Sequence, residues 1–280
     1  MQTVLEVRDK TVAYFEKAEI ESPKNEAERL MAETLGIKRL DLFLNYGKPL
    51  TEDELELLRD RIRRRAKREP LQYILGYWDF HDTRLQVQPG ALIPRPETEL
   101  LVEAVIKRLE GVKEPRIVDL GTGSGAIALA LAKALPNAKV LAVEKSPEAL
   151  SLARANADAL GLREQVAFRS GDWLAGLNLQ ADCIVSNPPY LTESEWAEAQ
   201  PEVRDHEPKE ALVAGDAGMA DLKAIVSGAK AQLAEGGFIA LEMGIDHGPA
   251  MQADAEACGY SEVEVVKDDH RRDRFLFAKI

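Results

Sequence analysis

The chain has 280 residues, 45% hydrophobic and 30% charged, which suits one large or two modest soluble domains with proper cores. No apolar run approaches the ~20 residues of a spanning helix, Met1-Gln2-Thr3-Val4-Leu5-Glu6 lacks a signal pattern, and a cytoplasmic protein is expected, with no membrane partner. The net charge of −12 is concentrated in residues 81–280, with 21 basic and 32 acidic side chains against 15 and 16 in residues 1–80, which argues against a nucleic-acid substrate.

Residues 1–75 read as a small helical bundle. Apolar residues recur at helical spacing in Val4, Leu5, Val12, Tyr14 and Phe15, then Ala27, Leu30, Met31 and Leu35, then Leu40, Leu42, Phe43 and Leu44. Thr51-Glu52-Asp53-Glu54 is a helix start, with Thr51 as N-cap and acids in the first turn. That last helix carries Arg61, Arg63, Arg64, Arg65, Lys67 and Arg68, either a solvated basic face or a docking patch for an acidic or RNA-bound partner. After Glu69-Pro70, the stretch Leu71 to Gly76 leads into Tyr77-Trp78-Asp79-Phe80 and Thr83-Arg84-Leu85-Gln86-Val87, which pair as a hairpin connector over residues 76–94. Ile93-Pro94-Arg95-Pro96-Glu97-Thr98-Glu99 then opens a helix to about Arg108.

From Arg116 the pattern alternates strand and helix. Arg116 to Leu120 is a strand ending in Gly121-Thr122-Gly123-Ser124-Gly125, and Ala126 to Leu135 a helix. Lys139 to Val143 is a strand ending at Glu144, Pro147 to Leu160 a helix, Gln165 to Phe168 a strand followed by Gly171-Asp172-Trp173, and Ala181 to Ser186 a strand leading into Asn187. A helix from about Met219, the strand Gly237 to Glu242, a helix near Pro249 and two closing strands complete the chain. This alternation predicts an α/β fold with a mostly parallel, doubly wound, Rossmann-like sheet over residues 95–280. Ligands in such sheets sit at the carboxyl ends of the strands, where the glycine loop, Glu144, Asp172-Trp173 and Asn187 all fall. Cys183 and Cys258, far apart on apolar segments, read as reduced core thiols, and no residue set reads as a metal site.

Asn187-Pro188-Pro189-Tyr190 is a stiff turn straight off a buried strand. The Asn187 side-chain oxygen and the Pro188 carbonyl make two acceptors held close together, an arrangement that suits an NH2 group, although such a turn also fits simple strand termination. An amide nitrogen is a poor nucleophile because its lone pair is delocalised. Gripping both N–H bonds orients it and favours pyramidal geometry, and no strong base is needed if the electrophile is a cationic sulfonium. The loop Gly121-x-Gly123-x-Gly125 has Ala126 where a dinucleotide loop has its third glycine, and no nicotinamide-linked constellation is evident. S-adenosyl-L-methionine, which has no pyrophosphate, needs only close backbone approach. Glu144 is placed to accept from ribose hydroxyls, Trp173 to wall the adenine or simply to fill core, and Asp172 to accept from the adenine amino group.

These motifs, with Arg68-Glu69-Pro70-Leu71-Gln72-Tyr73-Ile74-Leu75-Gly76, Ile93 to Glu99 and Glu207-Pro208-x-x-Ala211-Leu212, resemble those of class I methyltransferases and, more narrowly, the PrmC (HemK) family, over nearly the whole chain. The resemblance implies methyl transfer to the glutamine side-chain nitrogen in the Gly-Gly-Gln motif of class I peptide-chain release factors, bearing on translation termination, with S-adenosyl-L-homocysteine as product. It places Gly121, Thr122, Gly123, Ser124 and Gly125 around the methionine portion, Glu144 on the ribose and Trp173 beside the adenine. Asn187 would contact both cofactor and substrate, and Pro188, Pro189 and Tyr190 would complete the amide pocket. Residues 1–75 would hold the protein substrate. The chain departs from the family at Val213-Ala214-Gly215-Asp216-Ala217-Gly218, where Gly-Gly usually precedes Asp-Gly. An amino-group methyltransferase on a nucleic-acid base, a glutamine methyltransferase of a ribosomal protein and a non-catalytic S-adenosylmethionine binder are the alternatives.

Overall fold

Capping boxes at Thr3/Glu6 and Thr51/Glu54 start two of the helices in the first part of the chain. They open α1 (Val4–Lys17) and α3 (Glu52–Ala66); between them α2 (Pro23–Leu35) begins on a proline and stops at Gly36 in the left-handed region. The computed structural model describes residues 2–280 and separates into two compact units. The first unit runs to Gly76 and also takes in Gln200–His206. Phe15, Leu30, Met31, Leu42 and Leu58 form its core. The segment expected as a third helix around Leu40 is a 3-10 turn, Arg39–Asn45, that buries Leu42 and leaves Leu40, Phe43 and Leu44 exposed. The stretch from Leu71 is the short helix α4 (Leu71–Leu75), which leads through Gly76 into the first strand at Tyr77.

The basic helix is less solvated than its composition implies. Arg65 is buried and pairs with Glu26 and Glu202, while Arg68 donates to both Glu202 oxygens at 2.8 and 2.6 Å. Arg64 forks onto Glu69. Arg61 donates to the Thr34 hydroxyl, and Arg63, near Asp60, and Lys67 stay exposed.

The second unit, Tyr77–Ala199 and Glu207–Ile280, begins with the hairpin β1 (Tyr77–Phe80) and β2 (Thr83–Gln86), followed by α5 (Pro96–Arg108). Then come β3 (Arg116–Leu120), α6 (Ala126–Ala134), β4 (Lys139–Glu144), α7 (Pro147–Leu160), β5 (Val166–Ser170) and β6 (Ala181–Ser186). After α8 (Glu193–Glu198) the chain passes through α9 (Pro201–Arg204) in the first unit and returns to the turn α10 (Gly215–Gly218). It closes with α11 (Ala220–Ala229), β7 (Leu233–Glu242), α12 (Gly248–Ala257), β8 (Ser261–Lys267) and β9 (Asp273–Lys279).

The seven strands lie in the order β5-β4-β3-β6-β7-β9-β8, parallel from β5 to β7 and antiparallel at β9 and β8. Both sheet faces are covered, so alternate residues serve two cores. Cys183, Val185 and Ala240 pack with α5 and α6, whereas Ile184, Ile239 and Leu241 pack with α11 and α12. Cys183 is buried and Cys258 half-buried, both as free thiols. Chain order reverses direction between β3 and β6, which opens a crevice at their carboxyl ends. The charged run between β8 and β9 is a hairpin turn, yet Asp268 in it is buried, accepting from the Arg272 guanidinium and the backbone N–H groups of His270 and Arg272.

Candidate active site

Register fixes which residues meet at the crevice. Leu120 lies opposite Val143 and Ser186, and Ser186 opposite Leu241, so Gly121, Glu144, Asn187 and Glu242 follow as a row of next residues along one sheet edge. The Ser186 hydroxyl donates to the Leu120 carbonyl at 2.6 Å and ties the two central strand ends together.

The glycine loop turns through three positive-φ positions, Gly121, Gly123 and Gly125. Gly121 and Thr122 both donate to the Val143 carbonyl, and Gly123 donates to Glu144 at 2.9 Å. The other Glu144 oxygen accepts from Ser146. A Cβ on Gly121 would lie 3.0 Å from the Trp173 ring, so any side chain here would push the indole back. A Cβ on Gly123 would meet nothing within 4 Å, leaving its backbone open to a ligand. Trp173 itself has φ +48° and donates its indole N–H to Asp221 at 3.0 Å. Thr122 and Ser124 face inward: the Thr122 hydroxyl donates to Asp119, and the Ser124 carbonyl accepts from Asn156. Asp172 is exposed and paired with Lys145.

Beneath the loop lies Asp119, fully buried. Its Oδ2 accepts from Thr122 at 2.5 Å and the Ala128 N–H at 3.1 Å, while Oδ1 has no partner among the described residues. Burial pushes its carboxyl up to about 7, against the pull of those two hydrogen bonds. An open glycine backbone, an aromatic wall and an orphaned acceptor fit a nucleoside-bearing, cationic group.

At the neighbouring strand end, Pro188 is buried and Asn187, Pro189 and Tyr190 are half-buried. The Asn187 Nδ2 donates to the Thr98 hydroxyl at 3.1 Å, Thr98 donates to Glu242 Oε2 at 2.7 Å, and the Tyr190 hydroxyl donates to Glu242 Oε1 at 3.1 Å. Asn187 Oδ1 and the Pro188 carbonyl accept nothing from the described residues. Burial raises the Glu242 carboxyl above the ordinary glutamate range, while Thr98, Arg274 and Tyr190 pull it back. Burial and the Glu242 charge raise the Tyr190 phenol. The segment Tyr190–Leu191 is pinned by Leu212 and Ala214, and nearby Arg95 ties the chain at Ile93 to the buried Glu207.

Residues 6–76 match the model of the PrmC N-terminal domain, and residues 96–203 that of the methyltransferase small domain. Over 98% of its length the chain is 40% identical to a release factor glutamine methyltransferase of Chlorobaculum tepidum, covering 96% of that protein. The chain belongs to the release factor glutamine methyltransferase family. A second member of this family, from Deinococcus radiodurans, is 40% identical over 98% of this chain and 99% of its own length. A methyltransferase structure from Pyrococcus furiosus shares the fold, with a TM-score of 0.54 at 21% identity over 70% of this chain and 87% of that one.

Sequence reading located the glycine loop, Glu144, Trp173 and Asn187 but assigned nothing to Asp119, Thr98 or Glu242. Glu242 closes an apolar strand as Glu144 does, and Asp119 is an acid inside an otherwise apolar strand end, one residue before the last; those positions were the available signals. Thr98 carried none, because only its distant partners give it meaning.

Proposed function

We propose that the protein transfers a methyl group from S-adenosyl-L-methionine to the side-chain amide nitrogen of the glutamine in the Gly-Gly-Gln motif of class I peptide-chain release factors. The observation that carries this reading is the polarity of Asn187: its NH2 is committed to Thr98, so its oxygen is left as an acceptor beside the Pro188 carbonyl. Two such acceptors take both N–H bonds of a primary amide, and a carboxylate in the same place would find no donor. When bound, S-adenosyl-L-methionine supplies an electrophilic methyl group on a sulfonium.

In this reading Gly121, Thr122, Gly123, Ser124 and Gly125 surround the methionine portion, Glu144 holds the ribose, Trp173 walls the adenine and Asp172 accepts from its amino group. Asp119, with its orphaned oxygen, adds an acceptor under the loop. Asn187 and Pro188 hold the glutamine NH2, and Pro189 and Tyr190 close the amide pocket. Catalysis comes from positioning and a preorganised polar pocket rather than from a strong base. The nitrogen sheds its proton to solvent once the bond to carbon has formed. Residues 1–75 serve as the substrate-recognition domain, 76–94 as connector and 95–280 as the transferase domain.

Mass spectrometry of a purified class I release factor, incubated with the protein and S-adenosyl-L-methionine and mapped by fragmentation, tests this. One added CH2 on the Gly-Gly-Gln glutamine is the expected result. Label found instead on RNA or on another protein of a cell extract would keep the methyl transfer and discard the substrate.

A further inference from the structure

The hydrogen bonds behind Asn187 have a direction, and the direction has a source. A threonine hydroxyl has one proton, and an ionised carboxylate has only acceptors. Thr98 gives its proton to Glu242 at 2.7 Å, so toward Asn187 it can only accept. The Asn187 atom 3.1 Å away must then be the NH2 nitrogen, which turns Oδ1 the other way. Tyr190 donates to the second Glu242 oxygen, so the ionised carboxylate is satisfied on both sides. Thr98 and Glu242 are both buried, and water does not compete for these bonds.

Without this chain, nothing here distinguishes the two ends of the Asn187 amide. A flipped amide would present N–H bonds to the incoming NH2 and repel it. We propose that Thr98 and Glu242 are positioning residues that relay a fixed polarity to Asn187, selecting an NH2-bearing substrate over a carboxylate. This rests on the reading of Asn187 as the amide acceptor.

Thr98→Val keeps the shape of the side chain and removes its hydroxyl; Thr98→Ser keeps the hydroxyl. With a purified class I release factor as substrate, Thr98→Val is expected to lower kcat about 10²-fold, the scale of a misplaced reacting group. Its Kd for S-adenosyl-L-methionine should stay near that of the unmodified protein, and Thr98→Ser should recover most of the rate. A second readout needs no substrate. The Asn187 side-chain amide protons, assigned in a 15N-labelled sample by their loss in Asn187→Asp, should exchange slowly with solvent in the unmodified protein and in Thr98→Ser, and quickly in Thr98→Val. Full activity in Thr98→Val, or equal exchange in all three, would overturn the relay. If the unmodified protein leaves the release factor unlabelled, the substrate reading fails, and the exchange rates still decide the relay.

Discussion

Gly218 packs so closely against the Tyr190 carbonyl that no Cβ fits between them. Its φ of +83° adds a second reason for glycine, and the His247 ring closes the third side at 3.0 Å from where a Cβ would stand. Gly218→Ala must therefore displace the backbone that follows Asn187. The expected outcome is a loss of about 1–3 kcal/mol in stability together with impaired methyl transfer, read by denaturant unfolding and by rate. In Gly123→Ala no described residue meets the new Cβ, and the strain comes from its φ of +58° alone, so a smaller stability loss is expected together with weaker S-adenosyl-L-methionine binding, read by denaturant unfolding and by calorimetry.

Asn187→Ala removes one of the two proposed acceptors without touching the glycine loop. Turnover should be abolished while cofactor affinity changes far less. An Ala variant that still methylates would retire Asn187 from this role.

Glu242 sets an acid limit on the rate. Its carboxyl is raised above 4.5 by burial, with Thr98, Arg274 and Tyr190 lowering it and Glu97 raising it. As pH falls through this raised value, the protonated group can no longer accept from both Thr98 and Tyr190, and the polarity of Asn187 is lost. The rate profile should therefore fall on its acid side at a pH above 4.5. In Glu242→Gln, which cannot titrate, that limb should vanish and the rate should be low throughout.

Asp119 links stability to pH with the sign of a raised carboxyl. Its folded value is about 7 against an ordinary 3.8. Between those values the folded chain keeps a proton that the unfolded chain has released, so stability falls as pH rises through the window, by about 1.4 kcal/mol per unit of difference at most. Asp119→Asn retains an acceptor for Thr122 and removes the buried charge. Its urea midpoint should match the unmodified protein near the acid end of the window and exceed it above pH 7.

Glu202 holds two arginines inside the helical unit, one of them almost fully buried. Glu202→Ala leaves Arg65 with Glu26 as its one carboxylate partner among the described residues and Arg68 without one. A loss of about 1–3 kcal/mol is expected, while Asp60→Ala, on the exposed pair with Arg63, should cost well under 1 kcal/mol. Hydrogen exchange across Gln200–His206 reads the difference.

Local pattern revealed the sheet because the inner parallel strands β3, β4 and β6 are largely apolar on both faces and run into a glycine or polar residue at their carboxyl ends. That is why Gly121, Glu144 and Asn187 were legible as one row before any register was known. What stayed hidden depends on long-range pairing. Thr98 and Glu242 are 144 residues apart, and no spacing rule joins them. The run from Asp268 to Arg274 is highly charged, and only the folded turn shows that Asp268 is enclosed by donors from its own loop. In residues 39–45 the apolar pattern suggested a helix with a buried stripe, but a 3-10 turn has a different period and buries Leu42 alone.

The compact units are not separated by one cut. The chain passes from one to the other after Gly76, after Ala199 and after His206, so the helical unit is built from two stretches of sequence more than a hundred residues apart. A fragment ending at Gly76 would lack Glu202, the carboxylate that Arg68 grips, and a fragment starting at Tyr77 would carry Gln200–His206 with nothing to anchor it. Deletion is thus a poor way to assign roles to either unit, and point changes on Arg65, Arg68 or Glu202 are the cleaner instrument. Synthesis runs in the same direction, and the first unit gains its last residues only once the chain has been made as far as His206.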